Sequence, residues 1–308
     1  MTKVSVIVPN YNHANYLQQR IDSILLQTFR DFEVIILDDC SPDNSREIIE
    51  GYRNNKKVSH IIYNDINSGS TFRQWQKGIE LATGEYIWIA ESDDWCEPSF
   101  LETLINGITA KENCMVAYCQ SYCTDSSKIL WVSQSSSYLS EYREGKDFVN
   151  KLMLMGNSIF NASMAVWRRS AFENISKAFM EFRFCGDWLF WIELCLQGDV
   201  FITGKALNYF RKHDEDISGK VYKSGYNFLE EIKLIDTLLD RKQLTENLYL
   251  ASLKEKFARF NLSKEKFSND TIAIVEKSFF KDKATKKYLL NNGNNVKKIT
   301  RKILSRLK

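Results

Sequence analysis

The chain has 308 residues but only three prolines and three histidines. It contains no G-x-x-x-x-G-K run and no G-x-G-x-x-G run, so a kinase or dinucleotide-binding reading loses its main support. The histidines, His13, His60 and His213, form no H-x-x-x-H pair, and a lone histidine is more often structural or solvent-exposed than a metal ligand. No C-x-x-C pair occurs among Cys40, Cys96, Cys114, Cys119, Cys123, Cys185 and Cys195, and their number is odd. That argues against a disulfide framework or a zinc site and leaves reduced thiols in a cytoplasmic protein as the expectation. No stretch approaches the ~20 apolar residues of a membrane-spanning helix. The N-terminus passes at once into a strand pattern, without the charged lead, apolar core and cleavage site of a signal peptide. A net charge of +3 is small for this length and predicts no nucleic-acid partner.

What is present is the composition of a globular domain, with 44 % hydrophobic and 13 % aromatic residues. KVSVIV, FEVIIL, HIIYN and YIWIA are short apolar runs that read as buried strands. Leu17, Ile21, Ile24 and Leu25 recur at helical spacing after the first, and a helix is expected over residues 74–82 after the third. The first strand is expected to stop at Pro9. After the second, Ser41 and Pro42 read as an N-cap and the first position of a helix. This β-α-β-α-β-α-β order predicts an α/β fold with a mainly parallel sheet flanked by helices. Further on, the sequence predicts a strand near Met115–Cys119, a surface hairpin or loop over residues 124–140, a strand around Ser163–Trp167 and a helix from Asp187 to Leu196. From about Tyr222 the pattern is helical and Lys-rich, which places a domain boundary nearby.

In open parallel sheets, ligands bind beyond the carboxyl ends of the strands. Two of the strands run straight into acids. After YIWIA comes ESDD: Glu91, Asp93 and Asp94 repel one another unless a cation sits among them, and hard oxygen ligands suit magnesium or manganese. A solvated acidic turn is the alternative, disfavoured because a buried strand pins these carboxylates at the sheet edge. Asp38 and Asp39 follow the second strand, where a carboxylate accepts hydrogen bonds from a nucleobase or ribose, or merely forms the turn. Pro9, Asn10 and Tyr11 offer amides and an aromatic face to a base. Asn67-Ser68-Gly69-Ser70 is small and polar, and Arg73 and Lys77 suit either a diphosphate or surface salt bridges.

In order and spacing, VSVIVPNYNHANYL, FEVIILDDCSPDNS, NDINSGSTFRQWQKGIELATGEYIWIAESDDW, CGDWLFWIELCLQG and YFRKHDEDIS resemble the inverting family 2 glycosyltransferases over roughly residues 3–218. The resemblance implies a GT-A fold with a Rossmann-like nucleotide-binding half, comprising a catalytic domain over residues 1–221 and a helical C-terminal extension over residues 222–308. It implies transfer of a hexose from a nucleoside-diphosphate sugar, a UDP-sugar by family habit, to a hydroxyl of a glycan or lipid-linked acceptor in bacterial cell-surface polysaccharide synthesis. Pro9, Asn10, Tyr11, Asp38, Asp39, Asn67, Arg73 and Ser92 would contact the nucleotide sugar. Glu91, Asp93 and His213 would hold a divalent cation, Mn2+ or Mg2+, and Asp187 would be the general base. Glu91 stands where the family has a first aspartate, and Gly186 where it has a glutamate before the base. A sugar-phosphate nucleotidyltransferase would place a glycine-rich loop where VPNYNHANY lies. A non-catalytic nucleotide-sugar binder would have no need of both the acidic loop and Asp187.

The last stretch, VKKITRKILSRLK, carries six basic residues and no acid. Val296, Ile299, Ile303, Leu304 and Leu307 share one helical face. The tail reads equally as a helix lying on anionic lipid, giving peripheral contact with the inner face of the membrane, and as a docked or frayed basic end.

Overall fold

A computed structural model describes residues 3–125, 127–133, 138–213 and 217–293, with the side chains of 217–220 and 292–293 left undescribed. The basic tail from Val296 to Lys308 lies outside the described residues. In chain order the elements are β1 (Val4–Asn10), α1 (Ala14–Leu25), β2 (Phe32–Asp38), α2 (Ser45–Glu50), β3 (Val58–Tyr63), α3 (Thr71–Leu81), β4 (Tyr86–Ile89), β5 (Trp95–Cys96) and α4 (Phe100–Thr109). Then follow β6 (Cys114–Thr124), β7 (Ile129–Val132), β8 (Ser140–Arg143), α5 (Gly145–Phe148), β9 (Ala165–Arg168), α6 (Gly186–Cys195) and β10 (Asp199–Arg211). Five helices close the described chain: α7 (Ile217–Ser224), α8 (Asn227–Asp240), α9 (Glu246–Ser263), α10 (Asn269–Phe279) and α11 (Lys283–Gly293).

The strands form one sheet in the order β3-β2-β1-β4-β9-β6-β10-β5, with β7 pairing β6 and β8 pairing β10. The first four are parallel, and β9 runs antiparallel to both of its neighbours. β1 and β2 are buried along their whole lengths, which explains their unbroken apolar runs. The chain order reverses at β1, whose neighbours are β2 and β4, so the crevice beyond its carboxyl end is a switch point where open α/β sheets bind ligands.

Three boundaries differ from the sequence reading. β1 runs through Pro9 to Asn10 because β4 pairs it only as far as Ile7. Past that point Pro9 has one strand neighbour, β2, and its missing N–H costs little. The helix expected at Ser41–Pro42 starts at Ser45 instead. Asp38 accepts from Ser41 N and Ser41 Oγ at 3.0 and 2.6 Å, which holds the turn, and Asp43 Oδ1 accepts the Ser45 N–H at 3.0 Å. α3 begins at Thr71 rather than Gln74, which brings Arg73 into its first turn. Of the hairpin or loop expected over residues 124–140, the described part holds β7, which pairs antiparallel with the end of β6. The apolar side chains of α8 to α11, among them Phe228, Leu234, Leu253, Phe257, Val275 and Leu289, belong to the same buried cluster as the sheet. Among the described residues no helix is long and apolar enough to cross a membrane.

Candidate active site at the carboxyl edge

Two loops leave the switch point and tie themselves together. Asn10 Nδ2 donates to Asp38 Oδ1 at 2.8 Å and to Ser41 Oγ at 3.1 Å, and Asn12 N donates to Ser41 Oγ at 3.0 Å. Asp43 Oδ2 accepts the Ala14 N–H at 2.8 Å, so the second loop caps the helix that follows the first. Asn12 and Cys40 both have positive φ, 59° and 61°. Asn tolerates this; Cys does so at a cost of order 1–3 kcal/mol. Tyr11 projects from this rim, 47 % exposed.

Asp39 is buried and accepts from Asn64 Nδ2 (2.6 Å), Ser68 N (2.9 Å), Ser68 Oγ (2.7 Å) and Gln74 Nε2 (2.9 Å). Asn67 Nδ2 donates to the Asp39 carbonyl at 3.1 Å. The polar loop before α3 is thus folded around this carboxylate. Arg73 is exposed on the first turn of α3, with Nη1 3.4 Å from the Ser68 carbonyl.

The acidic loop divides its three carboxylates among three tasks. Asp94 is buried: Oδ2 accepts from Ser163 Oγ and Asn161 Nδ2 at 2.6 and 2.9 Å, and Oδ1 accepts the Arg211 N–H at 3.0 Å. Burial and the Asp93 charge push its pKa up to about 7, against the opposing Arg20 charge. Arg20 is fully buried with its guanidinium 4.8 Å from the Trp88 ring centre, a cation–π contact beneath the loop. Arg211 Nε donates to the Asp93 carbonyl at 2.8 Å, so the end of β10 is latched to the acidic loop. That latch brings in His213, whose Nε2 lies 3.1 Å from Asp93 Oδ2. Burial opposes ionisation of Asp93, but the His213 hydrogen bond and the charges of His13 and His213 outweigh it and hold the carboxyl low.

His13, three residues past β1, completes a half-buried cluster. One candidate ligand atom from each of His13, Asp93 and His213 lies within 4.8 Å of the other two. The His13 and His213 ring centres are 5.4 Å apart, and His13 Nδ1 meets Ser92 Oγ at 2.8 Å. Spacing along the sequence could not pair histidines two hundred positions apart. The usable signal for His13 was its place just beyond a strand end, on the edge that also carries the acids.

Glu91, expected beside Asp93 as a ligand, lies outside this cluster. Its Oε1 accepts from Trp75 Nε1 at 2.8 Å. Burial, with the Asp93 charge, pushes its pKa up to about 8. Trp75 packs edge-on against Phe72 and Phe190, with ring centres 5.2 and 5.5 Å away. Glu91 thereby joins the acidic loop to α6, the helix that begins with Gly186 and Asp187.

Asp187 is half-buried in the first turn of α6, with Oδ2 accepting from Asn157 Nδ2 at 3.2 Å. Burial pushes its pKa up to about 7, with partial relief from the Trp188 N–H and Asn157. A Cβ on Gly186 would stand 2.3 Å from the Phe179 carbonyl oxygen and 2.5 Å from the Phe72 ring, which leaves no room there for the family's glutamate.

The family model described as "Glycosyl transferase family 2" matches residues 5–176. The glycosyltransferase GlyG of Streptococcus pneumoniae is 36 % identical over 109 residues, covering 35 % of this chain and 36 % of the relative. The poly(ribitol-phosphate) beta-N-acetylglucosaminyltransferase TarS of Staphylococcus aureus is 29 % identical over 245 residues, 76 % of this chain and 40 % of the relative. Each match therefore spans well under half of the curated relative. Among solved structures, S. aureus TarS 1–349 in complex with UDP-GlcNAc superposes with a TM-score of 0.65 at 17 % identity, over 97 % of this chain and 92 % of that one. The mannosyltransferase PcManGT of Pyrobaculum calidifontis, in complex with GDP-Man and Mn2+, gives 0.53 at 15 % identity over 98 % and 87 %. These likenesses establish the fold as GT-A.

Proposed function

Because the chain belongs to glycosyl transferase family 2, we propose that it moves a sugar from a nucleoside-diphosphate sugar to a hydroxyl of a glycan or lipid-linked acceptor, with inversion at the anomeric carbon. The observation that supports the reading is the His13–Asp93–His213 cluster, fit for a metal, at the strand ends, and beside it we read Asp187, in the first turn of the helix that leads into β10, as the base. A UDP-sugar is the donor we favour, since the S. aureus relative was crystallised with UDP-GlcNAc. Bacterial cell-surface polysaccharide is the setting we favour, from the naming of the relatives.

The donor set of His13, Asp93 and His213 fits a divalent cation. Two imidazoles and one ionised carboxylate suit Mn2+ better than the harder Mg2+. When bound, such an ion neutralises charge on the departing diphosphate. A His13 tautomer that donates Nδ1–H to Ser92 Oγ would leave Nε2 free to hold the ion. Asp94, through Arg211, fixes the backbone of both ligand-bearing segments. Pro9, Asn10, Tyr11, Asp38, Asp39, Asn67 and Arg73 would surround the nucleotide, with Asp38 and Asp39 giving up loop hydrogen bonds only where the base or ribose replaces them.

Asp187 takes the proton from the acceptor hydroxyl as that oxygen attacks the anomeric carbon. The bond to the diphosphate oxygen breaks in the same displacement, and no covalent enzyme intermediate is needed. A carboxyl raised to about 7 is a stronger base than an ordinary aspartate and still substantially ionised near neutral pH. We propose a catalytic domain over residues 1–221 and an extension over residues 222–308, helical in its described part, with α7 (Ile217–Ser224) crossing the boundary between them. Peripheral membrane contact through the tail is part of the proposal, tested by liposome co-sedimentation of the full chain against one ending at Asn295. The transfer itself is tested by released nucleoside diphosphate across a panel of nucleotide sugars, with and without acceptor and Mn2+. Absence of turnover with every donor, despite metal-dependent nucleotide binding, would reduce the chain to a binder.

A further inference from the structure

Three consecutive backbone N–H groups lead into the helix that carries Asp187, and one carboxylate from the C-terminal helices takes all three. Arg183 N donates to Glu230 Oε1 at 2.8 Å, and Phe184 N and Cys185 N donate to Glu230 Oε2 at 2.6 and 2.7 Å. Glu230 sits in the first turn of α8. Cys185, the N-cap of α6, makes no side-chain cap of its own, so the entry to the helix is anchored from outside by charge-assisted bonds.

The opposite wall of Asp187 is anchored by α9. Lys256 is fully buried, and its Nζ donates to the Leu154 carbonyl and to Ser252 Oγ, each at 3.0 Å. Ser252 Oγ also donates to the Leu154 carbonyl, at 2.7 Å. The same ammonium lies 4.9 Å from the Trp188 ring centre, and Trp188 Nε1 donates to the Met153 carbonyl at 2.8 Å. Three residues beyond Leu154 is Asn157, the hydrogen-bond donor to Asp187. A close Arg259–Glu231 ion pair locks α9 to α8. The extension therefore holds both the turn that bears the carboxylate and the loop that bears its hydrogen-bond partner.

We propose that the C-terminal helices are part of the catalytic apparatus, with Glu230 a positioning residue that sets the place of the Asp187 carboxylate and Lys256 bracing the loop that faces it. The proposal rests on the reading of Asp187 as base. Glu230 contributes geometry and charge together. The titratable groups that face Asp187 are Glu230 on α8, Tyr222 on α7 and the neighbouring Cys185, and behind them Glu231 on α8 with Lys256 and Arg259 on α9 face Cys185 and Tyr222. Burial is the main reason the Asp187 carboxyl titrates high, and the Glu230 charge pushes in the same direction.

The experiment compares full-length Glu230→Gln, Glu230→Asp and Asp187→Asn chains for kcat, donor KM, the pH profile of kcat and Tm. Glutamine has one acceptor oxygen for three N–H groups, so the turn should shift and kcat fall about tenfold or more, as small displacements of a reacting group do. Donor KM should stay near wild type, Tm should fall with the lost charge-assisted bonds while the protein stays folded at assay temperature, and the acid limb of the profile should move to lower pH because a negative charge has gone. Glu230→Asp keeps that charge, so its limb should stay in place while kcat falls less. Wild-type kcat and an unmoved limb in Glu230→Gln, with Asp187→Asn inactive, would overturn the proposal and leave the base standing. A kcat loss that merely tracks lost folded protein, with the limb unmoved, would make Glu230 a structural brace only and overturn its positioning role. Near wild-type turnover by Asp187→Asn would overturn the base assignment itself.

Discussion

His213 Nε2 stands 3.1 Å from Asp93 Oδ2 although 120 residues separate them. The approach is produced by the clamp one residue on, where buried Asp94 accepts the Arg211 N–H and so fixes the end of β10 against the acidic loop. Asp93→Asn, His213→Ala and His13→Ala should each weaken Mn2+ binding by about tenfold or more, since even loss of an outer partner has that effect. Titration of free Mn2+ by electron paramagnetic resonance measures this directly. An unchanged affinity in His13→Ala would remove that residue from the ligand set.

Glu91 gives the opposite expectation. Its carboxylate is held by Trp75 at 2.8 Å, outside the three-ligand cluster. Glu91→Gln retains an oxygen to accept that hydrogen bond and should leave Mn2+ affinity within about threefold of wild type, far from the effect of losing a ligand. Trp75→Phe keeps the ring packing but orphans the carboxylate, and should lower stability by about 1–3 kcal/mol in urea unfolding. A collapse of metal binding in Glu91→Gln would restore it as a ligand.

Much of this arrangement was legible in the sequence because an unbroken apolar run marks both a buried strand and the point where that strand reaches the sheet edge. The four parallel strands were found from such runs, and the acids at their ends mark the edge without any knowledge of the fold. Contacts made between distant segments were not legible. Nothing in the sequence around His13 indicates that β10 will carry His213 to it, or that Trp75 will claim Glu91. Helix starts slipped for a related reason. Ser41 has the chemistry of an N-cap, but Asp38 captured it first, and only the three-dimensional turn shows which acceptor wins. Glu230 was invisible because an acid on an amphipathic helix reads as a solvated charge until its three N–H partners are placed beside it.

Gly186 is set by space rather than by backbone freedom. Gly186→Ala would drive a methyl group against the Phe179 carbonyl oxygen and the Phe72 ring. The carbonyl belongs to the backbone and cannot rotate away, so a loss of about 1–3 kcal/mol is expected, typical of overpacking. The displaced first turn of α6 should also cost activity, because it carries Asp187. An alanine variant with wild-type stability and rate would mean that the segment around Phe179 yields more easily than its buried position implies.

Asp187 should cost the fold stability in return for its reactivity. Its folded pKa of about 7 lies above the ordinary 3.8, chiefly through burial. A raised folded pKa means that the neutral form is favoured in the native state. The associated stability is fully present below about pH 4 and is lost as pH rises through about 7. Asp187→Asn cannot ionise and escapes that loss. The variant should therefore match the wild type in Tm near pH 4, gain on it progressively between pH 4 and 7, and hold a constant advantage above. The same variant should lose transfer activity about a hundredfold or more with donor binding nearly unchanged, as removal of a general base does. Wild-type kcat should rise with pH through an inflection near 7 as the base ionises. Thermal unfolding across pH 4–9, run beside the rate measurements, separates the two effects. An Asn variant that is inactive yet no more stable at pH 8 would mean that Asp187 is already ionised and well solvated in the native state, and that its basicity is that of an ordinary carboxylate.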